Sequence, residues 1–390
     1  MHAAVVGGSL GGLYAALLLR DLGIDIDIYE RSLVELAQRG AGIGFLPESQ
    51  RYLVERAGVA LDEISVPTAH IRYLHRNADL LFEAPQAYRF SSWNTVYRRL
   101  LMQFPTANYH LGYEMTGWQV QDNGVVLAFA GQAERRADLV VMADGVGSLA
   151  RVRLLPEVRS AYAGYVAWRG MVPEAPLDAA TRAVFDNAIT YFVYANSHIL
   201  VYPIPGLDGS VERGDRLLNF VWYRNYLAGS DLDNLLTDNA GVRRDISLPP
   251  GVAAAHHVNE LRAVAQARLP APMAKLVCAA EQPFLQVVYD IEVPKMAFGP
   301  ICLVGDAAFV ARPHAAAGTA KAAADAWALA AALARHNDVT TALEHWQPGQ
   351  LALGKQLLER TRAIGRRSQF DSTWTPGDPE LIFGLRGPGR

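Results

Sequence analysis

The chain has 390 residues, 51% of them hydrophobic, and no low-complexity run, which predicts a globular protein of two or more domains. Its 36 basic and 39 acidic residues give a net charge of −3, and no basic cluster with interleaved aromatic residues occurs. Nucleic acid is therefore not expected as a partner.

The first predicted strand, His2–Val6, runs directly into the turn Gly7-Gly8-Ser9-Leu10-Gly11-Gly12. Helical apolar spacing then extends from Leu13 to Leu22. A strand, a tight glycine turn and a helix start are what a dinucleotide pyrophosphate requires, because glycines let the phosphates approach free N–H groups and the positive end of the helix dipole. Glycine turns also serve as ordinary connections between a strand and a helix, and that alternative stays open for the turn taken alone.

Two neighbouring features bear on that choice. A strand that ends at Glu30, followed by Arg31, comes where an acidic side chain accepts hydrogen bonds from a ribose. Ser9 occupies the position that a GxGxxG motif gives to its middle glycine, so its side chain either crowds the pyrophosphate or donates to it. Together with the strand and the helix, Glu30 favours dinucleotide binding.

Further along the chain, the second glycine-rich loop, Arg39 to Gly44, is bare enough for Gly42 and Ile43 to lie against a flat cofactor. A predicted helix from Thr95 to Phe104 carries Arg98. A buried strand then runs into Asp144-Gly145, with Ser148 and Arg151 behind it.

The second half of the chain begins with a mostly β region, Tyr162 to about Asn225, whose alternation suits a sheet with one face on a ligand. Helical patterns cover Val258 to Cys278, and the strand Ile301–Val304 leads to Gly305-Asp306. A long helix is predicted from about Gly318 to Arg335. The tail after Ser368 is rich in Gly and Pro, and either wraps over the surface or is partly disordered.

The cysteines, histidines and apolar runs bear on compartment and on metal chemistry. Cys278 and Cys302 lie in apolar stretches and are expected to be reduced core residues. The ten histidines show no metal-ligand spacing, so no metal site is predicted. Met1 leads straight into the first strand, and Lys321 and Asp325 interrupt the alanine-rich run nearest to a membrane span. We therefore expect a cytoplasmic protein with no membrane segment.

The order of the three motifs, at Gly7–Gly12, Asp144-Gly145 and Gly305-Asp306, resembles the class A flavoprotein aromatic hydroxylases, which have the para-hydroxybenzoate hydroxylase fold. Closer similarities lie at Trp168-Arg169-Gly170 and from Arg312 to Gly318. The resemblance implies an α/β fold in which a Rossmann-like FAD-binding domain is interleaved with a mostly β substrate domain and followed by C-terminal helices. It places the FAD-binding domain at 1–70, 95–160 and 281–340, the substrate domain at 71–94 and 161–280, and the C-terminal helix and tail at 341–390.

The resemblance also implies roles for residues at the cofactor. Asp306 would accept hydrogen bonds from the ribityl hydroxyls, although a turn capped by this aspartate is the plainer alternative. The helix start at Ala317, Gly318 and Thr319 would face the flavin N1 and O2 edge. Asp144 would lie near the pyrophosphate. The family's usual histidine after Gly-Asp-Ala-Ala is Phe309 here, which weakens any role for that side chain.

For two arginines the resemblance implies a role near the cofactor, and a purely structural role is the alternative. Arg151 either braces the Asp144 turn near the cofactor or simply pairs with Asp144. Arg98 would reach the cofactor phosphates, as the corresponding helix arginine does in the family, and a solvated helix face is the alternative.

The activity implied is hydroxylation of a small hydroxylated aromatic or heteroaromatic ring, with a dihydroxypyridine as the expected substrate. NADH or NADPH would reduce FAD, O₂ would add at the flavin C4a, and the terminal oxygen of that hydroperoxide would pass to the ring. A flavin oxidase or reductase, or a non-catalytic flavin-binding protein, are the alternatives. A homodimer is expected from the family alone.

Candidate residues at the reacting ring come from the β region and the flavin edge. A base that ionises a ring hydroxyl would be a histidine or a tyrosine. The candidates are His314, Tyr202, His198 and Tyr223, with Pro313 at the flavin edge. Each has a structural alternative as a packing or loop-bracing residue.

Overall fold

The structure, a computed structural model, describes residues 1–37, 41–122 and 124–390. The strands in chain order are β1 (His2–Val6), β2 (Asp25–Glu30), β3 (Gly42–Gly44), β4 (Val66–Leu74), β5 (Leu80–Ser92), β6 (Tyr109–Leu111), β7 (Met115–Gln121), β8 (Gly124–Phe129), β9 (Gln132–Ala137), β10 (Leu139–Met142), β11 (Ala161–Pro173), β12 (Ala188–Tyr194), β13 (Ser197–Ile204), β14 (Leu217–Asn225), β15 (Ser247–Leu248), β16 (Phe284–Asp290), β17 (Ala297–Phe298) and β18 (Ile301–Leu303). The helices are α1 (Leu10–Arg20), α2 (Pro47–Glu55), α3 (Trp93–Leu101), α4 (Leu149–Leu154), α5 (Ala179–Phe185), α6 (Ser230–Leu235), α7 (Ala255–Arg268), α8 (Ala271–Ala279), α9 (Gly318–Leu333) and α10 (Val339–Gln369).

A six-stranded sheet carries the three motifs at one edge. Its order is β17-β18-β10-β1-β2-β6, and β18, β10, β1, β2 and β6 run parallel. The central strands β1 and β10 are almost entirely buried, as continuous apolar runs in parallel sheets are. Because parallel strands end at the same edge, the residues after β1, β2, β10 and β18 meet there, where open α/β sheets bind ligands. The Rossmann-like half of the predicted fold is confirmed.

A nine-stranded sheet forms the second layer, in the order β15-β16-β11-β14-β13-β12-β4-β5-β3. Strand alternation divides its central side chains between two faces. Trp168, Phe220 and Trp222 pack on one face under α7 and α8, while the other face carries Arg169, Tyr202 and Tyr223 toward the six-stranded sheet. The predicted β layer with one face toward a ligand is therefore present. The residue boundaries given above for the two domains remain a prediction.

In two segments the structure is more specific than the prediction from the sequence. The helical pattern predicted from Val258 to Cys278 forms two helices, α7 and α8, which are separated at Pro270 because proline has no backbone N–H to donate. The tail after α10 is ordered against the protein: Phe383 and Leu385 are buried, and Arg360 donates hydrogen bonds to the carbonyls of Ile382 and Gly384.

Among the helices of the described residues, none is long and apolar enough to span a bilayer. Arg39 and Gly40, the first two residues of the predicted second glycine loop, lie outside the described residues.

Candidate active site

Two adjoining cavities lie at the edge of the six-stranded sheet, and the first of them also borders the face of the nine-stranded sheet. The first, of about 390 Å³, is here called the Tyr223 cavity, and the second, of about 420 Å³, the Glu30 cavity. Ser9, Trp93, Ala143 and Gly145 line both. The two cavities therefore form one elongated site that begins at the glycine turn.

The glycine turn has the backbone that its residues predicted. Gly7 has φ +106°, and a Cβ there would stand 2.3 Å from the carbonyl oxygen of Ala143. A Cβ on Gly12 would stand 1.9 Å from the carbonyl oxygen of Gly7. Both positions therefore require glycine. Ser9 is the N-cap of α1, yet its side chain makes no capping hydrogen bond, which leaves the hydroxyl able to donate to a phosphate.

Carboxylates line the Glu30 cavity, and hydrogen bonds fix the orientation of Glu30. The carboxylate of Glu30 accepts hydrogen bonds from the N–H groups of Gly8 at 2.8 Å and Ser32 at 2.9 Å, so its orientation is fixed. Arg31 and Asp144 line the same cavity. Asp144 Oδ2 accepts from the Ala150 N–H at 3.1 Å, while its buried Oδ1 has no partner among the described residues. A buried acceptor left open next to a cavity calls for a donor on a ligand.

Arg151 joins the second motif to the third. Its guanidinium donates to the carbonyl oxygens of Val146, Ala307 at 3.1 Å and Asp306 at 3.3 Å. Its hydrogen bonds therefore go to backbone carbonyls rather than to the Asp144 carboxylate. Burial lowers the pKa of Arg151, and the nearby carboxylates of Asp144 and Asp306 oppose that shift.

The third motif is anchored by a buried ion pair that the sequence analysis saw only as an interruption of an apolar run. Lys321 and Asp325 lie one turn apart in α9, and the Asp325 Oδ2 accepts from the Gly305 N–H at 2.9 Å. Opposite charges at i and i+4 in an otherwise apolar helix were the signal for this pair. The adjoining Asp306 side chain opens into the Tyr223 cavity, and burial raises its pKa to about 6 against the effect of Lys321 and Arg151.

The start of α9 points into the same cavity. Ala317, Gly318 and Thr319 line it, as does Pro313. The first N–H groups of a helix have no intrahelical acceptor, and the helix dipole adds positive potential there. Ala316 has φ +53°, the left-handed turn that reverses the chain between Pro313 and α9. This end of the cavity can therefore stabilise developing negative charge.

The opposite wall is the face of the nine-stranded sheet. Tyr202 donates from its hydroxyl to the carbonyl oxygen of Gly42 at 2.9 Å and stacks on Phe90 at 4.2 Å between ring centroids. Tyr223 lines the cavity beside it. Burial raises the pKa of both phenols, more than the nearby Arg169 lowers it. Both tyrosines are therefore protonated at neutral pH and act as donors rather than as bases.

The two candidate histidines lie behind this wall and outside the cavity lining. The His314 ring lies 4.7 Å and the His198 ring 4.6 Å from the Tyr223 ring. His314 Nε2 pairs with the Tyr165 hydroxyl at 2.7 Å. Burial lowers the pKa of His198 to about 3 and that of His314 well below its ordinary value, so both are neutral. Neither histidine lines the cavity, and both contact Tyr223, which does.

The remaining predicted cofactor residues divide into two groups. Leu10, Gly11, Gly42, Ile43 and Gly305 line the Tyr223 cavity. Arg98 is exposed on α3 and lies outside the lining of both cavities. Sequence reasoning gave no site role to three lining residues, Arg169, Gln286 and Phe383. Of these, Arg169 had a signal, since an arginine within a strongly apolar strand is unusual unless it faces a ligand or a partner.

The comparisons with known proteins address the family. Residues 162–290 match a family model described as FAD binding domain-like. Over 383 residues the chain is 37% identical to 2,6-dihydroxypyridine 3-monooxygenase of Paenarthrobacter nicotinovorans, covering 98% of this chain and 95% of the relative. The chain belongs to the FAD-dependent aromatic hydroxylases. The resemblance drawn from the three motifs is thereby confirmed.

Two further comparisons agree with this family. The solved structure of 2,6-dihydroxypyridine-3-hydroxylase from Arthrobacter nicotinovorans superposes with a TM-score of 0.93 at 36% identity, covering 98% of this chain and 96% of that one. A 6-hydroxynicotinate 3-monooxygenase of Pseudomonas fluorescens is 27% identical, covering 98% of this chain and 94% of the relative.

The described residues of this hydroxylase fit FAD. Gly7 and Gly11 line the cavities without side chains, the Ser9 hydroxyl is free of capping, and Asp144 keeps an open acceptor among the described residues. The elongated double cavity suits an extended dinucleotide, with its second end at the N-terminus of α9. FAD is the cofactor, with NADH or NADPH as co-substrate.

Proposed function

We propose that this chain hydroxylates 2,6-dihydroxypyridine at C3, consuming NADH or NADPH and O₂. The observation that carries the proposal is the Tyr223 cavity, which lies between the start of α9 and a largely apolar and aromatic sheet face. The similarity over nearly the whole chain to an enzyme named for that substrate supports the choice of ring.

The residues of the two cavities divide the cofactor among them in this proposal. Ser9 and the N–H groups of the glycine turn would hold the pyrophosphate, with Asp144 near it. Glu30 and Arg31 would lie toward the adenosine, and Asp306 would accept from the ribityl chain. Ala317 to Thr319 would meet the pyrimidine edge of the flavin. When bound, FAD would pass the reducing equivalents of NADH or NADPH to O₂ and so provide the activated oxygen.

The protein itself binds and orients the substrate and excludes water from the reacting atoms. Leu200, Val221 and Phe90 give the cavity an apolar wall, which excludes water from the reacting atoms. Tyr223, protonated because burial raises its pKa, would donate a hydrogen bond to a ring oxygen. His314 and His198 would fix the orientation of Tyr223 through ring contacts and would not touch the substrate.

The test is oxygen uptake and NAD(P)H oxidation by the FAD-loaded protein with a panel of hydroxypyridines and hydroxybenzoates, with product mass read in parallel. The proposal expects turnover stimulated by 2,6-dihydroxypyridine and a product heavier by one oxygen atom. Turnover that yields only hydrogen peroxide, or oxygen insertion into another ring alone, would contradict the substrate assignment while leaving the family unchanged.

We also propose a cytoplasmic homodimer. The two cysteines are both free and Cys302 is buried, which suits a reducing compartment. The dimer rests on the family alone, and sedimentation of the purified protein would test it.

A further inference from the structure

Arg169 stands on the substrate wall without an anionic partner. It lies on β11 opposite Val221 of β14, on the face that lines the Tyr223 cavity. Its Nη1 donates to Oε1 of Gln286 at 3.1 Å, and its Nη2 donates to the carbonyl oxygen of Gly42 at 3.3 Å. Both acceptors are neutral. Its Nε is buried and has no acceptor among the described residues.

The charge on this wall is therefore unbalanced. Among the described residues that line the Tyr223 cavity, only Arg169 and Asp306 carry a formal charge. Asp306 belongs to the opposite, cofactor side, where Lys321 and Arg151 act on it. The buried Nε–H of Arg169 lacks an acceptor among the described residues, and an anionic ligand oxygen would supply one.

We propose that Arg169, held in place by Gln286, receives an anionic oxygen of the substrate, so that the cavity selects rings carrying an ionised hydroxyl or a carboxylate. This inference rests on the proposed function for the identity of the ring. The negative charge that it assigns to the ligand does not depend on that function. A guanidinium presents paired N–H donors to such an oxygen, and hydrogen bonds between charged partners are the strong ones. An ionised ring hydroxyl also makes the ring carbons more nucleophilic, which transfer of an electrophilic oxygen requires.

The plainer alternative is that Arg169 only holds the Gly42 segment, whose carbonyl oxygen also accepts from Tyr202. Arg169→Gln separates the two roles, and Gln286→Glu is a second test in which the arginine is kept. Gln286→Glu puts a carboxylate where the neutral acceptor of Arg169 now lies, so the arginine stays in place and its charge is neutralised by an internal partner. Arg169→Gln removes the charge, and Arg169→Lys keeps the charge without the paired N–H donors of the guanidinium.

The measurement is equilibrium binding to the FAD-loaded protein without reductant, followed by the flavin absorbance. The probes are two pairs that differ in charge, benzoate with benzamide for a carboxylate and pentafluorophenol with phenol for an ionised hydroxyl. We expect the wild-type protein to prefer at least one anion over its neutral counterpart by about tenfold or more, the value of a charge-assisted hydrogen bond. That ratio should fall to near one in Gln286→Glu and Arg169→Gln, and Arg169→Lys should keep most of it.

An unchanged ratio in Arg169→Gln or in Gln286→Glu, or no anion preference in the wild-type protein, would overturn the proposal. If Arg169→Gln fails to fold or to retain FAD, Arg169→Met replaces it, because the carboxylate of Gln286→Glu would itself line the cavity and repel an anion. The probe pair whose affinity ratio changes shows whether the anionic oxygen belongs to a carboxylate or to an ionised hydroxyl. Failure of the proposed function is separable, because an Arg169-dependent anion preference without oxygen insertion into 2,6-dihydroxypyridine refutes the substrate and leaves this inference standing.

Discussion

The Lys321 ammonium donates to both carboxylate oxygens of Asp325, at 2.6 and 2.7 Å, inside a helix where both side chains are at most 2% exposed. Through the Gly305 N–H, this pair fixes the turn that presents Asp306 to the cofactor. The backbone carbonyl of Asp325 also accepts from the Trp346 indole, so α9 and α10 meet at the same point. The pair therefore connects the helix packing to the geometry of the third motif.

We predict that Asp325→Leu lowers the free energy of unfolding by roughly 3–5 kcal/mol, because it leaves the Lys321 ammonium buried without a partner. The double variant Lys321→Met/Asp325→Leu should be less destabilised than that single variant, since it removes both charges. Urea denaturation of the FAD-free proteins measures both. A double variant that is no more stable than Asp325→Leu would show that shape, rather than the unpaired charge, dominates.

Asp306 predicts a conflict between stability and cofactor binding. The side chain is exposed to the cavity, yet desolvation by the surrounding protein raises its pKa to about 6, so near pH 7 the folded protein holds a partly desolvated carboxylate. A raised acid pKa makes this contribution to stability decrease as the pH rises from about 4 through 6. Asp306→Asn should therefore raise the thermal midpoint of the FAD-free protein modestly at pH 7, with no gain below about pH 4.

The same variant should bind FAD more weakly, because the carboxylate that accepts from the ribityl hydroxyls becomes an amide. Equilibrium dialysis of FAD at pH 7 measures this loss. Glu83→Gln, on the exposed part of the nine-stranded sheet and outside both cavities, is the control for carboxylate removal. Tighter FAD binding by Asp306→Asn would contradict the assigned role.

Phe383 brings the C-terminal tail to the substrate cavity. Its ring lines the Tyr223 cavity and lies 4.8 Å from Tyr88, whose hydroxyl accepts from the Phe383 N–H at 3.0 Å. Phe383→Ala should open this wall to water, so we predict a larger share of NAD(P)H consumed as hydrogen peroxide, by about two- to tenfold. Peroxide and hydroxylated product are quantified together, and Phe370→Ala, at an exposed aromatic of the preceding segment, is the control. Equal peroxide shares in the two variants would place the water barrier elsewhere.

The sequence predicted the cofactor half of the site far better than the substrate half. Gly7, Asp144 and Gly305 each follow a buried parallel strand, so local pattern and the common edge of such strands bring them together without further information. Phe383 could not be placed in this way, because its position depends on hydrogen bonds from Arg360 to the tail and on contacts across almost the whole chain.

The histidine candidates illustrate the same limit. Strand alternation correctly puts His198 and Tyr223 on one face of the sheet, where they are directly paired. Which of them reaches the cavity is decided by the end of α10, which brings Ser368 against His198 and closes it off. No periodicity within β13 or β14 carries that information.

The buried histidine pair predicts the acid sensitivity of the fold. The pKa of His198 is lowered to about 3, so between about pH 6.5 and 3 the unfolded chain binds a proton that the folded protein excludes. The unfolded state then holds more protons, and the free energy of unfolding must fall as the pH falls through this window. His314, lowered in the same direction, adds to the slope. His198→Phe should reduce the dependence on pH between 6.5 and 4 in denaturant unfolding, while the exposed His256→Phe should leave it unchanged. A slope that survives in His198→Phe would mean that other groups govern acid unfolding and that His198 takes up its proton in the folded state.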